Sequence, residues 1–199
     1  MRHRRHRNSR IDLLLEHREL LRARGHPLWV ISAWHPEAAR DLTDTSSALI
    51  LDDGIYDFHT AFTQALPPFL ASWISDGRDE EAVPVLSLLV TVNTSVRWAL
   101  NNGVWAFGAS SYADLVRKSA DYTLDGIAGQ ITAPALVMDG ENDQFLKGEP
   151  QKVRQALSSA DATLVTLTIA EGAGEHTHAG AVSRAHQVMF DWLDTTLAR

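Results

Sequence analysis

The chain has 199 residues, of which 45% are hydrophobic, and its formal net charge at pH 7 is -7. This length and composition predict one globular domain, or one domain with a sizeable insertion. The negative charge argues against a dedicated nucleic-acid-binding protein, because such proteins need a positive field to reach phosphates. The sequence has no cysteine, which excludes disulfides, thiolate zinc sites and a cysteine nucleophile.

The first ten residues, MRHRRHRNSR, form a basic segment without an acidic residue. We interpret residues 1–10 as a disordered tail, with a nucleic-acid-binding arm or a transit peptide as the alternatives. The apolar segment of a secretory signal does not follow, and no apolar run approaches the ~20 residues that span a bilayer. We therefore expect a cytoplasmic protein that binds neither nucleic acid nor membranes.

Short apolar runs alternate with helical patterns along the chain. Strands are predicted at four places: 28–32, 47–51, 135–138 and 163–168. Helices are predicted at four further places: about 10–24, from Pro36 onwards, 149–158 and 181–197. The stretch from about 55 to 130 has no β period, and we interpret it as a helical insertion. This alternation predicts an α/β fold, a parallel sheet covered by helices on both faces. The last helix should turn six side chains inward: Val182, Val188, Met189, Trp192, Leu193 and Leu197.

The loops that follow the predicted strands carry polar residues. The second strand ends at Asp52, Asp53 and Gly54, the third is followed by DGEND (139–143), and the fourth by EGAGEHTH (171–178). In such sheets, functional groups lie on loops at the carboxyl ends of strands. An acid after one strand and a histidine after the next would lie at the same edge, where a carboxylate can orient an imidazole as a general base.

Several segments resemble α/β-hydrolases. The C-terminal end of that superfamily is similar to APALVMDGENDQF (133–145), AEGAGEHTHAGA (170–181) and FDWLDTTL (190–197). Its lid resembles NTSVRWALNNGVWAFGASS (93–111), and the stretch after its sixth strand resembles DDGIYDFHTAF (52–62). The most similar branch holds dihydroxy-pseudo-oxynicotine hydrolase and acylaminoacyl-peptidase-like hydrolases. The resemblance implies a partial α/β-hydrolase fold over 11–199, its C-terminal half, with a helical lid at about 55–130.

The resemblance also implies a serine-type hydrolase that acts on an ester, an amide or an activated C–C bond of a small molecule or peptide, without cofactor or metal. The acid of the G-x-x-D turn is Asp143, and the histidine of the G-[DE]-H turn is His176. Asp139 and His178, which lie close to them in sequence, are second candidates.

The nucleophile position departs from the family pattern. IDLLL (11–15), LWVIS (28–32) and AAR (38–40) match the spacing around the nucleophile, which places Ser32 there. Val30 and Trp34, however, occupy the positions of the two glycines in G-x-S-x-G, and His35 follows. In G-x-S-x-G the serine lies in a strained strand-to-helix turn, the nucleophile elbow. Bulky residues should relax this turn and displace the serine hydroxyl. The first four or so strands of the fold also have no counterpart, and neither does the early loop that supplies one oxyanion donor.

Two alternative functions remain open at this point. The first is a non-catalytic pseudo-hydrolase, or a half-fold that binds a small ligand or a partner chain, which allows a homodimer. The second is a metal site, because His176-x-His178 and Glu175 offer nitrogen and oxygen ligands. No third histidine is close in sequence, so the metal site is the weaker alternative.

Overall fold

The computed structural model describes residues 28–31, 48–64, 66–158 and 161–197. Ser32, Trp34, His35, the predicted helices at 10–24 and after Pro36, and the basic tail lie outside these residues. Within the described ranges, no helix has the length and apolar character needed to cross a membrane.

Four parallel strands form one sheet in the order β1-β2-β3-β4, and β1 lies at one edge of this described sheet. The strands are β1 (Leu28–Ile31), β2 (Ala48–Leu51), β3 (Ala135–Gly140) and β4 (Ala162–Leu167). The four strand predictions and their parallel pairing are therefore confirmed, with boundaries shifted by one or two residues. β3 extends past Met138 because Asp139 and Gly140 continue the ladder with β4.

Side chains of the central strands alternate between the two faces of the sheet, and a helix packs against each face. One face packs against α6 (Glu149–Ala156), and the other against α7 (Val182–Leu197). The first face carries Leu49, Leu51, Ala135 and Val137, and the second carries Ala48, Ile50, Leu136 and Met138.

The inward face of α7 differs in part from the prediction. Val188, Met189, Trp192 and Leu193 contact the core, together with the buried Ala185. Val182 and Leu197 were predicted to face inward, but they are 48% and 39% exposed. Both lie at the ends of the helix, where the side chains are only partly covered.

The segment between β2 and β3 is helical, as predicted. Its helices are α1 (Phe58–Gln64), α2 (Pro68–Ser75), α3 (Asp79–Val92), α4 (Thr94–Ala106) and α5 (Tyr112–Ser119), followed by a 3-10 turn at Ala128–Gln130. This helical insertion has a hydrophobic core of its own, which includes Leu70, Leu86, Leu100 and Leu115.

The two ends of the helical insertion are paired with each other next to the sheet. Asp57 and Thr123 form an antiparallel bridge, and the Leu124 N–H donates to the Tyr56 carbonyl at 2.8 Å. The buried carboxylate of Glu149, at the start of α6, accepts the N–H groups of Tyr56 and Asp57 at 3.0 and 2.8 Å. These bonds hold the start of the insertion close to the carboxyl ends of the strands.

Candidate active site

Asp143 and His176 meet at the carboxyl ends of β3 and β4. The Nδ1 atom of His176 lies 2.9 Å from the Oδ2 atom of Asp143, so the predicted hydrogen-bond reach is present. An ionised carboxylate only accepts hydrogen bonds, and Nδ1 is therefore the donor. Nε2 is then the ring nitrogen that can accept a proton, which is the arrangement a general base requires.

The turn after β3 holds Asp143 in place. Its Oδ1 atom accepts the N–H groups of Phe145 and Leu146 at 2.7 and 3.2 Å, and the residue is only 6% exposed. Burial opposes ionisation of this carboxyl, but the hydrogen bonds from His176 and from the backbone outweigh it and lower the pKa of Asp143. Asp143 is thus held as an anion against His176. The Phe145 ring also packs edge-on against the imidazole, with ring centres 4.9 Å apart.

The loop between β4 and α7 (168–181), which carries His176, is called the histidine loop below. Two glycines let this loop approach the sheet closely. A Cβ atom on Gly140 would lie 2.9 Å from the carbonyl oxygens of both Gly174 and Glu175. A Cβ atom on Gly174 would lie 2.6 Å from the Ile169 nitrogen. Real Cβ atoms do not approach backbone this closely, so any other residue would displace the loop. This close approach brings His176 within reach of Asp143.

A second carboxylate, Asp53, also reaches the histidine loop. It follows β2, is 1% exposed, and accepts the backbone N–H of Thr177. Its Oδ2 atom lies 3.5 Å from His176 Nδ1, and its Oδ1 atom lies 3.5 Å from His178 Nε2. No function was predicted for Asp53 from the sequence, although its position after a buried strand, at the same sheet edge as Asp143 and His176, is a signal that could have identified it.

His178 links the histidine loop to the loop that follows β2. It is completely buried, its Nδ1 lies 2.9 Å from the Ala173 carbonyl, and its Nε2 lies 3.1 Å from the Asp52 carboxylate. Because Nδ1 faces a carbonyl oxygen, it carries a proton. Burial lowers the pKa of His178, but the contacts with Asp52, the Ala173 carbonyl and Asp53 outweigh this and raise it. The geometry assigns the second-ranked histidine to the support of the loop.

Burial and polar contacts also have opposing effects on the pKa values of Asp53 and His176. Burial raises the pKa of Asp53 to about 6, against the lowering effect of the Thr177 N–H. Burial alone would lower the pKa of His176, but the hydrogen bond with Asp143 and the charges of Asp143, Asp53 and Asp52 raise it. The imidazolium form of His176 is therefore favoured by three nearby carboxylates.

The other predicted candidates have structural partners. The Asp139 carboxylate, the second-ranked acid, accepts hydrogen bonds from Gln151 and Thr166 at 2.7 and 3.0 Å. The Glu175 carboxylate, part of the alternative metal site, accepts a hydrogen bond from Asn142 at 2.9 Å. Ser32 lies outside the described residues.

Among the described residues, the possible metal ligands group differently from the prediction. One group contains Asp52, Asp53 and His178, and the other contains Asp53, Asp143 and His176. The two histidines thus have separate sets of partners, and Glu175 belongs to neither set. Each group contains a histidine–carboxylate ion pair, which explains the close approach of its atoms without a cation.

A cavity of about 370 Å³ lies between this site and the helical insertion. Asp53, His176 and Thr177 form part of its wall, and residues of α1 and α4 form the opposite side. The site therefore combines an oriented imidazole with a concave, mostly apolar space, which is the usual form of a small-molecule site.

No protein-family model matches the chain. The chain is 29% identical over 161 residues to hydrolase LUC6 of a Fusarium species, an alignment that covers 75% of this chain and 38% of that protein. It is 30% identical over 163 residues to the 20-hydroxy-prefusarin hydrolase FUS2 of Gibberella moniliformis, covering 76% of this chain and 38% of that protein. The chain thus spans well under half the length of these curated relatives.

Solved structures show the same fold. MenH from S. aureus is similar with a TM-score of 0.51 and 13% identity, over 99% of this chain and 80% of that chain. VinJ is similar with a TM-score of 0.51 and 14% identity, over 91% of this chain and 71% of that chain. At such low identity, the likeness concerns the fold alone. The architecture is that of a partial α/β-hydrolase fold: a parallel sheet with flanking helices and a helical insertion.

Proposed function

We propose that this chain is a serine-type hydrolase in which Ser32 is the nucleophile, His176 the general base and Asp143 the residue that orients His176. The observation that carries the proposal is the 2.9 Å contact between His176 Nδ1 and Asp143 Oδ2, beside a mostly apolar cavity. The curated relatives named as hydrolases support it. The reaction is acyl transfer to water, from an ester, an amide or an activated C–C bond of a small molecule or peptide.

The chemistry follows from these three side chains. Nε2 of His176 takes the hydroxyl proton of Ser32 while Oγ attacks the substrate carbonyl. Asp143 stabilises the imidazolium that forms, and this cation then gives its proton to the leaving group. Water, deprotonated by the same imidazole, hydrolyses the acyl-serine ester and regenerates the hydroxyl. One oxyanion donor would be the N–H of Ala33, which comes directly after the nucleophile.

A fluorophosphonate probe tests this proposal, because it reacts with an activated serine. We expect covalent labelling of the wild-type chain, loss of labelling in Ser32→Ala, and a strong decrease in His176→Ala. Peptide mapping of the adduct should locate it at Ser32. Labelling that persists in Ser32→Ala would assign the nucleophile to another residue and contradict the proposed triad.

The alternative proposal is a non-catalytic pseudo-hydrolase that binds a small ligand or a partner chain. Val30 and Trp34, in place of the two elbow glycines, favour this alternative. It predicts no labelling by the probe, although ligands still bind in the cavity. Membership of the dihydroxy-pseudo-oxynicotine hydrolase branch and action in the cytoplasm are also proposals, and both rest on the sequence patterns alone.

A further inference from the structure

The cavity beside His176 is mainly aromatic and aliphatic. Phe58 and Phe62 of α1 and Phe107 line it, and Phe145 lies next to His176. Trp98 of α4 adds a further large apolar surface at the same wall. Phe58 packs at 5.9 Å from Phe62 and at 5.2 Å from Phe107, measured between ring centres, so contacts among the rings themselves preform this wall. A preformed apolar wall favours an apolar ligand.

Among the described residues that line the cavity, all charges apart from that of His176 are negative. Asp52 and Asp53 line it, and His176 is paired with the carboxylate of Asp143. None of the described lining residues is lysine or arginine. The polar residues at the opposite wall, Ser95 and Asn102, are uncharged. His178 also contacts Asp52 and Asp53, so three carboxylates (Asp52, Asp53 and Asp143) face two imidazoles. These described residues therefore keep a net negative charge even when both histidines are protonated.

We propose that this cavity binds the uncharged, apolar part of the substrate and excludes ligands that carry a carboxylate. The proposal extends the proposed function and depends on it for the identity of the substrate. An anion placed here would lose its hydration and lie close to Asp52 and Asp53, and both effects oppose binding. No guanidinium or ammonium of the described lining residues would compensate for them.

The same charges would help to release the product. Hydrolysis of a neutral ester adds water across the acyl–oxygen bond and gives an alcohol and a carboxylic acid, which loses a proton to become a carboxylate. The substrate is thus neutral and the acid product is an anion. An acyl group that fits the cavity as an ester is repelled from it as an acid, so product inhibition should be weak.

Calorimetric titration with two ligands of the same skeleton tests the proposal. Naphthaleneacetamide is neutral and naphthaleneacetate is an anion, and both are small enough for a drug-sized cavity. The titrations are done at about pH 8, above the pKa of about 6 of Asp53. We expect the amide to bind, and the acid to bind at least about tenfold more weakly because of charge repulsion. Equal affinity for both ligands, or no binding of the amide, would overturn the proposal.

A pair of serine substitutions locates the effect. Ser95 and Ser87 are both exposed residues of the helical insertion, but only Ser95 lines the cavity. Ser95→Lys should bring the affinity for the acid to within about threefold of that for the amide, because a cation now faces the bound carboxylate. Ser87→Lys adds the same charge outside the cavity and should leave the preference unchanged. An equal effect of both substitutions would refute binding in this cavity.

Hydrolysis of methyl naphthaleneacetate separates this inference from the proposed function. The wild type should hydrolyse the ester with weak inhibition by the acid, and Ser95→Lys should be inhibited at least about threefold more strongly. If the amide binds selectively but the ester and the fluorophosphonate probe do not react, the proposed function fails and the cavity selectivity is upheld. If the chain hydrolyses other esters but the amide does not bind, the inference fails and the proposed function is upheld.

Discussion

The side chain of Asp53 accepts a hydrogen bond from the backbone N–H of Thr177, although the two residues are 124 positions apart in the chain. Both have a left-handed backbone, with φ of 50° at Asp53 and 52° at Thr177. His178, the next residue, also has a positive φ of 55°. Non-glycine residues rarely adopt this conformation, and each instance costs on the order of 1 kcal/mol. The three described non-glycine residues with positive φ are therefore in one cluster, beside His176.

This cluster has a clear structural consequence. The left-handed backbone at Thr177 directs its N–H at Asp53. The imidazole of the next residue, His178, contacts the carboxylates of Asp52 and Asp53. His176 is thus held between Asp143 on the β3 loop and Asp53 on the β2 loop. We infer that Asp53 is a positioning residue, because it restrains the loop that carries the general base.

The first prediction concerns the effect of Asp53 on stability. Burial raises the pKa of this carboxyl from 3.8 to about 6 in the folded protein. Its ionisation therefore opposes folding: the cost is absent below about pH 4, grows up to about pH 6, and is complete above it. Asp53→Asn removes this cost. Relative to wild type, its free energy of unfolding should increase by on the order of 2–3 kcal/mol as the pH rises from about 4 to about 7.

Urea denaturation at several pH values measures this effect. Asp53→Asn also loses the contacts of the carboxylate with His176 and His178, so the trend with pH, and not the stability at a single pH, is the relevant quantity. The matched control is Asp194→Asn on the exposed side of α7, which should show a constant difference from wild type. A constant difference for Asp53→Asn as well would argue against a raised pKa at this position.

The second prediction separates the two candidate acids. Asp143→Asn should lower kcat by on the order of 10⁴, as the loss of the charge that orients the base does in other triads. Asp139→Asn keeps an oxygen for Gln151 and Thr166 and should retain most of the activity. Steady-state kinetics of both variants on one ester substrate make the comparison. Equal loss in the two variants would mean that the β3 loop is sensitive to any change, and that the assignment of Asp143 is not supported.

Asp143 also has a structural role that the sequence did not reveal. The residue is only 6% exposed and accepts two backbone N–H groups. Asp143→Ala leaves these donors without their acceptor and should cost about 1–3 kcal/mol. Asp143→Asn retains an acceptor and should cost less. Thermal denaturation of the two variants orders them.

The fold could be predicted because its strands are short apolar runs with polar residues or glycines after them. The positions of β2 and β3 follow from ALIL and ALVM, whose side chains are buried on both faces of the sheet. The ends of elements were less accurate. By composition, Asp139 and Gly140 are typical loop residues, yet pairing with β4 keeps them in the strand. Such pairing depends on a neighbouring strand, which local sequence does not describe.

The site could be predicted only in part, for a similar reason. Asp143 and His176 stand in turns with recognisable sequence patterns, whereas Asp53 stands in the short sequence DDG after a strand. Its contact with Thr177 depends on the order of the strands and on two left-handed residues. Because non-glycine residues rarely adopt this conformation, the local sequence does not predict the left-handed backbone at Asp53 and Thr177.

The third prediction concerns the close approach at Gly140. Gly140→Ala places a Cβ atom 2.9 Å from two backbone oxygens of the histidine loop, which must then move. A displacement of about 1 Å can cost around a hundredfold in rate, and we expect a decrease of this order in kcat. Gly129→Ala is the matched control, because its Cβ would meet no atom within 4 Å. If Gly140→Ala has the activity of Gly129→Ala, the loop does not need this close approach.

The fourth prediction concerns the elbow around Ser32. Val30 is in β1, whose last residue, Ile31, directly precedes the proposed nucleophile in the sequence. The nucleophile elbow needs small residues two positions on either side of the serine, because strand and helix approach each other closely there. If Val30 and Trp34 displace the hydroxyl by about 1 Å, the double variant Val30→Gly/Trp34→Gly should increase fluorophosphonate labelling at Ser32 by up to about a hundredfold.

Two controls separate repair of the elbow from a general loosening of this region. Leu28→Gly introduces a glycine in the same strand, away from the elbow, and should not increase labelling. Glycine also weakens a strand by roughly 0.5–1 kcal/mol, so the labelling rates are measured at a temperature where circular dichroism shows all variants to be folded. The double variant carrying Ser32→Ala should not be labelled at that position. Unchanged labelling of a folded double variant would show that Val30 and Trp34 do not limit the nucleophile, and the departure from G-x-S-x-G would then have no consequence for the rate.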